Sequence, residues 1–212
     1  GKRRKNVHSP SQVPYIILGT ALLWFGWFGF NAGSALGANL DAVSAFANTN
    51  FASAAAMIAW IFFDMFNKKK MSATGACIGA VVGLVAITPA AGFVTIGQSI
   101  FIGFISAVIS WYAVQIKNKS GLDDTLDVFP CHGIGGVSGM ILTAVFAKDV
   151  GLVYGETTVF THHMIALVSV SVFTFFGSLL LYKIVDSITP IRVIEEKELE
   201  GLDLSQHGES VE

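Results

Sequence analysis

The chain has 212 residues, of which 53% are hydrophobic and only 13% charged, against roughly 25% charged in soluble domains. Its mean hydropathy is +0.64, which excludes an ordinary soluble globule and fits a polytopic membrane protein. The net charge of −2 says little by itself, because where the charges fall carries the information.

The chain opens with GKRRKN, which reads as a cytoplasmic loop of a longer protein. A membrane helix needs about 20 mostly apolar residues, and the charge-poor intervals supply six candidates. The first lies near 13–36 and the second near 42–63. A long uncharged run over 71–116 is broken by TPAAG at 88–92, which gives spans near 73–88 and 95–116. The fifth runs over about 126–147 and the sixth over about 161–182. After Pro190 the chain turns acidic and polar, with a short helix expected up to Gly201.

With both ends placed in the cytoplasm, the inner segments are 1–12, 64–72, 117–125 and 183–212. They hold every Lys and Arg of the 13 except Lys148. That asymmetry supports six spans with this orientation. Asp64 falls four residues before Lys68, an i,i+4 pairing at the inner interface. Gly75, Gly79 and Gly83 repeat every four residues, as do Gly29 with Gly33 and Gly135 with Gly139. Small residues at that spacing let helices approach closely in lipid. Cys77 and Cys131 sit in apolar runs and read as buried free thiols, with neither a disulfide framework nor a zinc site.

Two stretches hold residues that the packing of a bundle does not require. In the first span Leu23, Trp27, Phe30 and Ser34 form one helical stripe. It reads either as core packing or as an aromatic face that attracts a cation, ending in a hydroxyl able to accept from an ammonium-type donor. In the fifth, His132 is a lone imidazole about two turns into the span, on one face with Asp124 and Val128 at i, i+4 and i+8. An ionisable group at membrane depth faces the bundle interior or a water-filled path. Two readings stay open: a core histidine bonded to a neighbouring carbonyl, or an imidazole lining a path for a small polar molecule. Neutral imidazole can both donate and accept a hydrogen bond. Asp123, Asp124 and Asp127 read as caps for the start of that span. His162 and His163 read as interfacial. There is no metal-ligand cluster, nucleophile–base pair or cofactor motif, so neither an enzyme nor a metal, cofactor or nucleic-acid protein is expected.

Taken together, GWFGFNAGS at 26–34, TGACIGAVVGLVAITPAAG at 74–92, DVFPCHGIGG at 127–136 and EGLDLSQHGE at 200–209 resemble the ammonium transporter (Amt) family over the whole chain, in order. The resemblance implies an all-α membrane protein, its six transmembrane helices forming the C-terminal half of an eleven-span inverted-repeat ammonium transporter bundle. Residues 1–12 would be a cytoplasmic loop, 13–188 a six-span membrane domain and 189–212 a cytoplasmic regulatory tail. It further implies ammonium or ammonia as substrate, a homotrimer with one apolar pore per subunit in the plasma (inner) membrane, and a PII-type regulator on the cytoplasmic side. Phe30 would gate the outer mouth and Ser34 would belong to the ammonium recruitment site. Leu23, Trp27 and Val128 would line the pore, His132 would be one of two mid-pore imidazoles, and Asp124 would support the cytoplasmic end. Gly201, Asp203, Ser205, His207 and Gly208 would form the regulatory tail motif. Pro130 departs from the family pattern. An ammonium sensor signalling through the tail, and a half-bundle that does not conduct alone, are the competing readings.

Overall fold

Three of the helices begin where a side chain accepts from an otherwise unpaired N–H donor. In this computed structural model residues 12–209 are described. Val13–Gly33 (α1) carries Pro14 in its first turn, where a missing N–H is tolerated. Asn39 opens Leu40–Phe66 (α2) by accepting from the Ala42 N–H at 2.9 Å. Ser72 does the same for Ala73–Ile87 (α3), accepting from the Gly75 N–H at 2.9 Å. Thr95 and Gln98 form a capping box ahead of Ile96–Lys119 (α4). Phe129–Ile134 is π-helical and runs on into Gly135–Phe146 (α5). A 3-10 turn at Leu152–Tyr154 precedes Thr158–Ile188 (α6), then Glu195–Glu200 (α7) and a π-turn at Asp203–His207. No strand occurs among the described residues.

Among the described residues five segments are long and apolar enough to cross a membrane: α1, α2, α4, Phe129–Phe146 and α6. The third expected span is the shorter α3, of 15 residues, or about 22 Å at 1.5 Å per residue. Its chain continues through turns closed by the Ala90 N–H to Ile87 O and the Phe93 N–H to Ala90 O, both 2.8 Å. The loop expected at 1–12 lies, but for Gln12, outside the described residues.

The chain divides into two units, Gly1–Ile165 and Ala166–Glu212. In the first, α2 packs on α3 and α4 over its length. Small residues make this possible. A Cβ at Gly79 would lie 2.6 Å from the Trp60 Cβ, and one at Gly83 would lie 2.6 Å from the Ala52 carbonyl oxygen. Gly139 abuts the Ala86 backbone in the same way. The Gly29–Gly33 repeat differs: nothing lies within 4 Å of either position. Both glycines are exposed, on the side of α1 away from Asn31, which is buried and donates to the Thr49 hydroxyl at 2.9 Å.

Several polar groups inside this bundle are paired across elements, although the buried Ser110 hydroxyl and the Asn48 Oδ1 have no hydrogen-bond partner among the described residues. Asn48 donates to the Ala91 and Val94 carbonyls at 2.8 Å each, pinning the turn after α3. Ser138 reaches Ser106 at 2.9 Å. Asp64 corrects the sequence expectation. It is buried, and its carboxylate accepts from the Trp111 indole N–H at 2.8 Å rather than turning to Lys68. Lys68 stands in a left-handed turn at φ 58°, which ends α2 and carries its side chain off the helix face. The indole face of Trp111 is met instead by Lys69, whose Nζ lies 5.0 Å from the ring centre.

In the second unit α7 stops at Gly201 (φ 103°), as the sequence suggests. The π-turn that follows closes with Gly208 at φ 68°.

Candidate functional site

Three of the four residues in the α1 stripe are held together. The Trp27 indole N–H donates to the Thr88 hydroxyl at 2.8 Å, and Thr88 donates on to the Leu84 carbonyl at 2.8 Å. Trp27 meets Phe30 edge-to-face with ring centres 5.9 Å apart. Ser34 donates its hydroxyl proton to the Phe30 carbonyl at 2.6 Å. Its one donor is thus committed, and its oxygen is left to accept from an incoming N–H. Leu23 and Phe30 are 49% and 62% exposed within this chain, while Trp27 between them is half-buried. Phe28, off the stripe, stacks on Phe46 of α2 with ring centres 4.1 Å apart.

The second group starts the fifth span. Asp124 is not on the helix. It lies ahead of it, where its carboxylate accepts from the Val128 N–H at 2.9 Å and the Phe129 N–H at 2.8 Å. The expected i, i+4, i+8 face is therefore not continuous. Asp124 is a cap, and only Val128 and His132 are helical. The helix starts at Val128, which puts His132 about one turn in and not two. His132 sits in the π-helical segment, a geometry that recurs at functional sites. Its ring is exposed, as is Val128 at 51%. Pro130 and Cys131, its neighbours, are buried, and Cys131 packs in a cluster with Trp60, Val82 and Trp111.

One helix carries both groups. α3 packs against α1 and against the π-helix. Val85 lies 3.7 Å from where a Gly135 Cβ would be, while Thr88 holds Trp27. Positions 82 to 88 of α3 therefore link the two, about 9 Å along the helix axis. His163, at the start of α6, hydrogen-bonds the Val159 carbonyl of its own helix at 2.9 Å.

The tail residues lie in the second unit. Ser205 donates to the Lys197 carbonyl at 3.1 Å, and the Glu209 N–H returns to Asp203 O at 3.1 Å. Gly201 and Gly208 supply the left-handed backbone on either side of Asp203 and His207. Sequence reasoning missed Thr88, which it took only as part of a helix break, Lys117, which it counted as an inner-segment charge, and Trp111, which it did not single out. No spacing in the sequence ties these residues to the groups they support, since Thr88 lies 61 positions from Trp27 and Lys117 seven from Asp124.

The close-packed helices and their apolar spans define a class: an all-helical integral membrane protein. The Ammonium Transporter Family matches residues 1–212. The chain is 46% identical over 218 residues to an ammonium transporter of Bacillus subtilis, a match covering 99% of this chain and 54% of that protein. Its structure resembles that of Candida albicans Mep2 with a TM-score of 0.86 and 33% identity, over 96% of this chain and 48% of that one. It also resembles a sensor Amt protein, with a TM-score of 0.83 and 30% identity, over 97% and 53% of the two chains. The chain belongs to the ammonium transporter family. It spans about half the length of the relatives it matches.

Proposed function

We propose that this chain supplies one wall of a path for ammonium nitrogen across the membrane, within a protein of the length its relatives have. The observation that carries this reading is the exposed His132 ring on the π-helical start of the fifth span, tied through α3 to the Trp27–Phe30–Ser34 face. In the whole protein the open face of Leu23, Phe30, Val128 and His132 is covered by the remaining spans, and the covered face is the pore.

Ammonium is recruited by the aromatic rings and by the Ser34 oxygen, at the outer side. The bare cation does not cross an apolar lumen cheaply, since burying a charge still costs several kcal/mol after relaxation. The cation therefore gives up its proton at the mouth. Ammonia passes His132, and the proton stays behind or is relayed along imidazoles. Asp124 steadies the cytoplasmic end by holding the backbone below His132. Residues 13–188 form the membrane domain, in the plasma membrane with both ends of this chain cytoplasmic. Residues 189–212 form the regulatory tail, in which a phosphate on Ser205 would add about −1.5 to −2 charge beside Asp203. Assembly is as a homotrimer, with a PII-type regulator meeting the cytoplasmic face.

The test is methylammonium uptake by the transport-competent protein that contains this chain, in cells lacking their own uptake. His132→Leu should lower Vmax by about tenfold or more at equal membrane abundance. Unchanged uptake would remove the pore role. The likeness to a sensor Amt protein favours a second reading, sensing through the tail; a wild-type protein that binds ammonium with negligible flux would select it.

A further inference from the structure

Lys117, in the last turn of α4, makes two contacts across the loop into the fifth span. Its Nζ lies 2.6 Å from Asp127 Oδ1, and it donates to the Asp124 carbonyl at 2.8 Å. Lys117 and Asp127 side chains are only 12% and 20% exposed. This is not the solvent-screened surface pair that contributes almost nothing.

The two residues that Lys117 grips carry the backbone beneath His132. Pro130 has no N–H, so residues 128–131 have three backbone donors. The Val128 and Phe129 N–H groups go to the Asp124 carboxylate at 2.9 and 2.8 Å. The Cys131 N–H goes to the Asp127 carbonyl at 3.0 Å. All three therefore end on residues 124 and 127. Asp127 itself is left-handed, at φ 54°, a conformation uncommon outside glycine that persists only when its surroundings impose it. The Asp124 carbonyl and the Asp127 carboxylate converge on one point, and two oxygens at such a point repel unless a cation sits between them.

We propose that Lys117 is a positioning residue for His132: by bridging Asp124 and Asp127 it fixes the π-helical turn that presents the imidazole. It acts through the backbone, touches no substrate, and rests on the pore reading of His132 given above. A hydrophobic side chain of the same length would release the turn, and a guanidinium would preserve the bridge, since it too offers several donors to two oxygens.

The experiment measures methylammonium uptake by the transport-competent protein with Lys117→Met, Lys117→Arg and His132→Leu, singly and with Lys117→Met combined with His132→Leu. Lys117→Met should lower Vmax by about tenfold at unchanged membrane abundance, with KM within about twofold because recruitment lies elsewhere. Lys117→Arg should retain most of the flux. In the His132→Leu background, Lys117→Met should cause no further loss, which a general packing defect would not reproduce. Where Lys117→Met fails to accumulate, Asp127→Asn carries the same test with a side chain of equal size. Normal Vmax in Lys117→Met or Asp127→Asn, or fully additive losses in the double variant, overturns the positioning role. If His132→Leu alone transports normally, it is the pore reading that fails.

Discussion

The α2–α3–α4 interior and the face bearing Leu23, Phe30, Val128 and His132 belong to the same bundle and obey opposite rules. In the interior, small residues bring backbones into contact, and polar side chains find partners on neighbouring helices. On the face, large aromatic and aliphatic side chains stand exposed and the imidazole is open. The interior packs on itself, whereas Leu23, Phe30, Val128 and His132 are left uncovered within this chain; the pore reading proposed above gives them a cover. Substitutions in the two regions should therefore fail in different assays.

The largest effect is expected where the interior has no room. A side chain at Gly103 would strike the Ala52 carbonyl on α2, and backbone cannot rotate aside as a side chain can. Gly103→Leu should destabilise the bundle by about 1–3 kcal/mol or more, read as lost membrane abundance and a lower melting temperature in detergent. His132→Leu should leave both unchanged. If Gly103→Leu accumulates and melts normally, the interior is looser than the contacts indicate.

A smaller loss is expected at the buried carboxylate. Trp111→Phe keeps an aromatic ring, smaller than the indole, and removes the N–H that reaches Asp64. Stability should fall by about 1–3 kcal/mol, with uptake per folded molecule retained. A selective loss of flux at normal stability would instead move Trp111 into the functional face through its contact with Cys131. The smallest effect is expected at Ser34, whose hydroxyl bonds only its own helix. Ser34→Ala should leave melting unchanged and raise the uptake KM about threefold, as for loss of one hydrogen bond to substrate. A stability defect there would blur the boundary between the two regions.

Much of the fold was legible because membrane spans are written in composition. Charge-free intervals and the clustering of Lys and Arg gave six segments, and the helices occur at those places to within a few residues. Gly201 was readable as a helix stop, since few other residues accept the backbone it adopts. The glycine repeats were legible only as a possibility: the rows at Gly75–Gly83 and at Gly139 meet a neighbour, and Gly29–Gly33 does not. Spacing records which residues share a face, and it does not record what lies opposite.

What the sequence determined by itself was the solvent each segment prefers, and the few polar residues too costly to place in lipid without a purpose. Those are local transfer energies, summed residue by residue. Tertiary structure alone decided that Asp64 turns to Trp111, that Thr88 holds Trp27, and that Lys117 bridges Asp124 and Asp127. Each of these depends on a directed contact, in two cases between residues more than forty positions apart, and a hydrogen bond forms only where the packed backbone brings donor and acceptor within about 3 Å.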